Sequence, residues 1–331
     1  MNVLFLIGNG FDINVGLKTC FKDALETYLN DQNNDPRSQK FKEDINQDFE
    51  NWSDFEKQIG IYTEKFSHQS IEDYYFYIRS FRESLVKHLK NEESRINYNV
   101  CKADIASIFK KSIVNFYEGL LLTHKNIIES ILNRERSIRY NFITFNYTNV
   151  LDNCLGILKK NGSLNNDVAI DHEVDKIVHV HGTTKEHVIL GVDNVEQIKN
   201  KDLLIDEKLK RTIIKPFINK ELNSLNDKEC ISLIEHSHII CIFGLSLGET
   251  DKSWWQTIEK RLRNVDVHLV IFDNATEFNP IHPEDNIDNI NNAMKKFLLS
   301  AGITKNQNQY TDRIHIGFNT DIFKLDLTRK S

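Results

Sequence analysis

Short apolar runs and four-residue apolar stripes alternate along this chain, and the two patterns predict different elements. Val3-Leu4-Phe5-Leu6-Ile7 is an unbroken apolar run. It is too short for a helix of its own and reads as a strand buried on both faces. After Gly16-Leu17-Lys18-Thr19 the pattern turns helical, with Phe21, Leu25 and Leu29 at four-residue spacing. Asn30 to Asn46 is polar, contains Pro36 and reads as a loop. Trp52-Ser53-Asp54-Phe55-Glu56 opens the next helix, whose stripe is Phe55, Ile59, Tyr62 and Phe66. Ser53 is placed to cap it, with Glu56 closing a capping box. A longer helix carries Ile71, Tyr74, Ile78, Phe81, Leu85 and Leu89; another covers Ile105 to Leu120, and a further one Ile127 to Leu132. Aromatic stripes at this spacing are core rather than ligand box.

From Tyr140 the period changes. Asn141 to Phe145 is a strand, ending at Asn146-Tyr147-Thr148-Asn149, and a helix begins at Val150. Lys176 to His181 is a strand that stops at Gly182, and Val188 to Gly191 is a short strand. Residues 195–235 are helical and charged, broken at Lys215-Pro216-Phe217. Ile239 to Phe243 is the most apolar strand, followed by Gly244 to Asp251 and a helix with Trp254, Trp255, Ile258 and Leu262. Val265 to Phe272 is another strand. A loop with Pro280 and Pro283 leads to a helix ending near Gly302, and Arg313 to Phe318 is a last edge strand.

Strands alternating with helices predict an α/β fold with a largely parallel sheet. The helical block, residues 21–136, falls between the first and second strands; residues 1–20 and 137–331 make the α/β unit. In such sheets the loops after the strands gather at one edge, where ligands bind. Four loops there carry small or polar residues: Gly8–Asp12, Asn146–Asn149, His181–Thr183 and Gly244–Asp251.

Composition narrows the function classes. The chain has 331 residues, 40% of them hydrophobic, with 20 Phe and 10 Tyr, enough for one large core or two modest ones. A net charge of −6 argues against a nucleic-acid partner. No run approaches the roughly 18 apolar residues of a membrane span, and the start lacks a basic leader, so a cytoplasmic protein without a membrane partner is expected. The five cysteines, Cys20, Cys101, Cys154, Cys230 and Cys241, are scattered without C-x-x-C spacing. Neither a disulfide framework nor a structural zinc follows.

The glycine turn after the first strand suits a phosphate, because glycines let backbone N–H groups and a helix start approach it closely. It is not the ordinary dinucleotide fingerprint, whose third glycine would stand at Ile13. His179 and His181 lie two apart on a strand, so they share a face, and with Asp193 they offer an alternative metal set.

Gly8-Asn9-Gly10-Phe11-Asp12 with Gly16-Leu17, then Thr144-Phe145-Asn146-Tyr147-Thr148, His181-Gly182 and Phe243-Gly244-Leu245-Ser246-Leu247-Gly248 with Asp251, in that order, resemble the AbiH family. These are bacterial abortive-infection proteins associated with resistance to bacteriophage. The Trp52–Glu56 segment and Lys215-Pro216 look like that family too, so the resemblance covers nearly the whole chain. The same loops are more distantly similar to the sirtuin superfamily, where such a glycine loop binds NAD. The resemblance implies a sirtuin-like Rossmann-type parallel sheet with a large α-helical insertion between the first and second strands. The four-cysteine zinc module of deacylases is missing, and Asn9, Asp12, Phe145 and Lys18 depart from the sirtuin pattern. Defence-associated sirtuin-like domains without that module act as NAD hydrolases, which makes hydrolysis of NAD to nicotinamide and ADP-ribose the expected activity and deacylation the last-ranked one.

On that resemblance Asn146 and His181 are the catalytic residues. Asn146 orients ribose hydroxyls or the attacking water, and His181 is a general base, a role typically worth about 10²–10⁴-fold. Gly8, Asn9, Gly10, Asp12, Thr144, Gly244, Ser246, Leu247 and Asp251 are the NAD-binding set. Within it Asp12 takes a ribose hydroxyl or the nicotinamide amide, and Asp251 pairs with a cation or caps a helix. Alternative readings are a nuclease or RNA-directed toxin using His179 and His181, and a non-catalytic sensor of NAD or ADP-ribose. The trigger is not visible in the chain; a homo-oligomer or a regulatory protein acting through the helical block would supply it.

Overall fold

A computed structural model describes residues 1–32, 35–161, 164, 170–222, 224–273, 276 and 279–329. Its strands are β1 (Asn2–Ile7), β2 (Ser137–Thr144), β3 (Asp171–His179), β4 (Ile239–Phe243), β5 (His268–Asp273) and β6 (Ile314–Phe318). Before β2 lie α1 (Gly10–Asn14), α2 (Phe21–Asn30), α3 (Pro36–Gln47), α4 (Phe49–Trp52), α5 (Phe55–Tyr62), α6 (Ile71–Ser94), α7 (Tyr98–Val114) and α8 (Leu122–Leu132). After it come α9 (Val150–Asn161), α10 (Glu207–Ile213), α11 (Lys215–Glu221), α12 (Asn226–Glu235), α13 (Lys252–Leu262) and α14 (Pro283–Ser300).

All strand pairs are parallel, and the order is β3-β2-β1-β4-β5-β6. That is the order of doubly wound dinucleotide-binding sheets, with the topological switch between β1 and β4. Alternation along the central strands explains why their sequences are unbroken apolar runs. Val3, Phe5 and Ile7 face one core with Ile239, Cys241 and Phe243, together with α7, α8 and α9. Leu4 and Leu6 face the other with Ile240 and Ile242, covered by α12, α13 and α14. A third core joins α2, α3, α5 and α6 to Leu190, Val192, Leu209 and Ile214. The helices between β1 and β2 therefore serve two cores.

Several elements differ from the sequence expectation. Residues 36–47 form a helix rather than a loop. Pro36 stands at its start, where proline's missing N–H is no loss, and Asp35 caps it by accepting from the Arg37 N–H at 2.8 Å. Ser53 is not the cap of α5; its Oγ donates to the Glu50 carbonyl, and Asp54 caps instead. Residues 188–191 form no strand, having no strand neighbour; the Gly191 amide donates to Glu56 Oε1 at 3.3 Å. β5 begins at His268 because Val267 N–H closes a turn onto the Asn264 carbonyl. The third strand starts earlier and ends earlier than expected, at Asp171 and His179. Among the described residues no helix is long and apolar enough to cross a membrane.

One buried histidine makes the fold acid-sensitive. His268 Nδ1 and His315 Nε2 lie 3.0 Å apart, and the His124 ring packs edge-on against His315. Burial, then the charges of His124 and His268, push His315 down to about 3. The unfolded chain takes the proton at about pH 6.5 and the native chain does not, so stability falls as pH drops below that value. Between pH 6.5 and 5 the loss is about 2 kcal/mol. Melting temperatures across that window are expected to fall steeply in the wild type and less so in His315→Gln. Parallel slopes would show that other groups carry the acid limb.

Candidate functional site

The register brings four loops to one edge of the sheet. Thr144 pairs with His179, so Asn146 and His181 each sit two residues beyond the same rung on neighbouring strands. The ladder continues past the strand ends: Phe145 N–H donates to the Ile7 carbonyl, Val180 N–H to Thr144 and Gly8 N–H to Phe243.

Asp12, from α1, is 1% exposed. Its Oδ2 accepts from Thr148 Oγ1 at 2.7 Å. Burial raises its carboxyl to about 7, against the opposing pull of Thr148 and the nearby Asn146 amide. At neutral pH it is therefore both donor and acceptor. Thr144 Oγ1 accepts from the Asn146 N–H at 3.2 Å and holds that turn. Around these residues polar atoms are buried without a hydrogen bond of ordinary geometry: Asp12 Oδ1, both side-chain polar atoms of Asn146, whose amide lies near enough to favour the Asp12 carboxylate, and His181 Nδ1. Each such atom costs about 1–3 kcal/mol, which a fold retains where a ligand satisfies it.

His181 belongs to a buried ionic cluster. Its Nε2 lies 3.3 Å from Asp251 Oδ1 and 3.4 Å from Lys215 Nζ. Lys215 donates to Glu56 Oε2 at 2.7 Å, Asp251 Oδ1 at 3.0 Å and the Thr250 carbonyl at 3.3 Å. Burial works against the Lys215 charge, but the carboxylates of Asp251 and Glu56 hold it firmly protonated. Burial would likewise raise Asp251; Lys215 and the His181 hydrogen bond overcome it and hold the carboxyl well below its usual range. Glu56 is pushed up by burial despite Lys215. The Phe145 and Tyr147 rings pack against His181.

The glycine turn does something other than expected. A Cβ on Gly10 would lie 2.5 Å from the Gly244 Cα, and one on Gly8 would meet the Gly244 carbonyl and Leu245. The Gly8 and Gly10 amides donate to the Phe243 and Gly244 carbonyls. These glycines let the β1 and β4 loops close on each other, and the Gly8 and Gly10 amides assigned to a diphosphate are taken by backbone carbonyls. Helix α1 is only five residues long. Asn9 is tied locally, its Oδ1 accepting from Thr19 Oγ1 at 2.6 Å and its Nδ2 donating to Cys20 Sγ. Ser246 is exposed. Leu247 holds a left-handed φ of 58° with its carbonyl accepting from Ser300 Oγ. A groove of about 660 Å³ opens elsewhere, among Lys18, Glu26, His88 and Glu92, away from the unpartnered atoms.

The two strand histidines part company. His179 bonds to Asp152 at 2.8 Å and to the Asn146 carbonyl, and Asp193 accepts from Ser253 Oγ. His179, His181 and Asp193 do not converge, and no metal-holding cluster of His, Cys, Asp or Glu occurs among the described residues.

Sequence reasoning placed none of Glu56, Lys215, Tyr147 and Glu93 among the site residues, and read Glu56 only as closing a capping box. Glu93, on α6, accepts from the Asn149 N–H at 2.6 Å and from Thr184 Oγ1 at 2.9 Å, tying two of the loops to the helical block. The signal for Glu56 was its place beside Phe55 at the start of a buried stripe; for Lys215, a cation at a helix break.

No curated protein matches the chain. The family model for bacteriophage abortive infection AbiH matches residues 4–273, from β1 through β5, and includes every site residue above. With most of its length matched, the chain belongs to the AbiH family of bacteriophage abortive infection proteins.

Proposed function

We propose that this protein acts in abortive infection as a sirtuin-like NAD glycohydrolase, with the helices at 21–136 as an insertion in the nucleotide-binding fold. The observation carrying the reading is the set of buried, unpartnered polar atoms on Asp12, Asn146 and His181 at one edge of a doubly wound sheet. They fit the polar ribose end of a nucleotide; the closed glycine turn does not supply a phosphate cradle, so the diphosphate is held by other groups.

NAD supplies a cationic leaving group: when the C1′–N bond breaks, its electron pair neutralises the nicotinamide ring, so no acid is needed on that side. Water adds its oxygen to C1′, and His181 takes the water's proton. Asn146 offers one donor and one acceptor to hold the water or ribose hydroxyls, and Asp12, half-protonated near neutral pH, offers the same pair to the other hydroxyl.

The test is purified protein with NAD, followed by mass spectrometry and by calorimetric binding. Equimolar nicotinamide and ADP-ribose are expected, together with NAD loss in infected cells. Binding without turnover would replace hydrolysis by sensing, and neither binding nor turnover would sink the reading.

A further inference from the structure

Lys215 has three N–H donors, and three oxygens take them: Glu56 Oε2, Asp251 Oδ1 and the Thr250 carbonyl. The fourth contact of Lys215, 3.4 Å to His181 Nε2, is the longest of the four and has no hydrogen left once those three are made. Nε2 must therefore carry its own hydrogen, directed at Asp251 Oδ1. The lone pair of the neutral ring is then on Nδ1, the buried nitrogen with no partner.

The surroundings of the ring agree. Facing His181 are Asp251, Lys215, Glu56 and Tyr147, with Asp227 within electrostatic reach, and the Asp251 carboxylate is the acceptor beside Nε2.

We propose, building on the hydrolase reading, that Lys215 and Glu56 are positioning residues. Lys215 locks Asp251 and so the Nε2–H tautomer of His181, and Glu56, contributed by the helical block, holds Lys215 in place. The helical block is then part of the proton-accepting device. A change in how α5 seats against α11 would alter the tautomer of His181 without touching substrate.

The test reads the imidazole directly and needs no turnover. Long-range ¹⁵N–¹H spectra of histidine-labelled full-length protein, with His181→Gln for assignment, report the tautomer. Wild type is expected in the Nε2–H form. Lys215→Gln, which frees Asp251, is expected to mix the tautomers, and Glu56→Gln, nearly isosteric, to mix them to a smaller extent by loosening Lys215. Mixed tautomers with an unchanged melting temperature separate positioning from a packing role. The Nδ1–H tautomer in wild type, or an unmixed Nε2–H form in both variants, would overturn the proposal. If the spectra behave as expected and NAD is not hydrolysed, the hydrolase reading falls and the positioning stands.

Discussion

Asn146→Ala and His181→Ala are each expected to lower the proposed NAD turnover by roughly 10²–10⁴-fold, yet Asn146→Ala is expected to leave the melting temperature level or raised. The two halves of this expectation have one cause. Asn146 is buried with neither polar atom of its amide partnered, at a cost of about 1–3 kcal/mol for each atom. Alanine removes both atoms, and its smaller volume opens a modest cavity that offsets part of the gain. A side chain retained for packing behaves otherwise: truncation lowers stability and leaves chemistry alone. Sites that hold polar groups for a ligand trade stability for activity. His181→Ala is milder on the fold than a buried charge deletion, because Asp251 keeps its ion pair with Lys215. Steady-state nicotinamide release and thermal unfolding on the same samples check both halves. An Asn146→Ala variant that loses about 2 kcal/mol or more while turning over NAD normally would make Asn146 a structural residue.

The architecture was legible because the central strands are buried on both faces and so lack any polar interruption. Ile239 to Phe243 is the clearest case, with every residue buried. Helix α3 was not legible for the opposite reason. Its stripe rests on Phe41 and Ile45 among polar neighbours, and Pro36 reads as a breaker when its place at the first turn is unknown. The strand expected at Val188–Gly191 had the right composition but no neighbouring strand to pair with, and pairing is a property of the whole sheet.

The site divides in the same way. Asn146 and His181 were visible as polar residues at strand ends, and the register then places them level with each other. The glycines were visible too, but spacing alone cannot distinguish a glycine that admits a ligand from one that admits another loop; here Gly10 and Gly244 admit each other. Lys215 and Glu56 were hidden by distance, standing 159 residues apart with their burial set by the tertiary fold. Burial turns two ordinary charges into a paired centre, because an unpaired ion there would cost several kcal/mol.

Gly182→Ala is expected to cost at least about 4 kcal/mol, a large share of a typical domain's stability. Gly182 has φ of +73°, where an L side chain is strained by roughly 1–2 kcal/mol. Strain is the smaller part. An added Cβ would sit 1.5 Å from the His187 carbonyl oxygen and 2.6 Å from its carbon, and these are backbone atoms that no rotamer change can move aside. Relief requires shifting the His187 peptide, which pulls on Ile189, whose N–H donates to the His181 carbonyl at 2.9 Å. The same substitution therefore unfolds the loop and displaces the proposed base that precedes it. Gly156→Ala, in the middle of α9, is the matched control: its added Cβ meets nothing within 4 Å, and helix propensity favours alanine by about 0.5–1 kcal/mol. Denaturant unfolding of the two variants should move the midpoint in opposite directions, with the Gly182→Ala chain poorly soluble or inactive. If Gly182→Ala stays within about 1 kcal/mol of wild type, the 182–189 loop does not close as tightly as described, and the fixed placement of His181 loses its support.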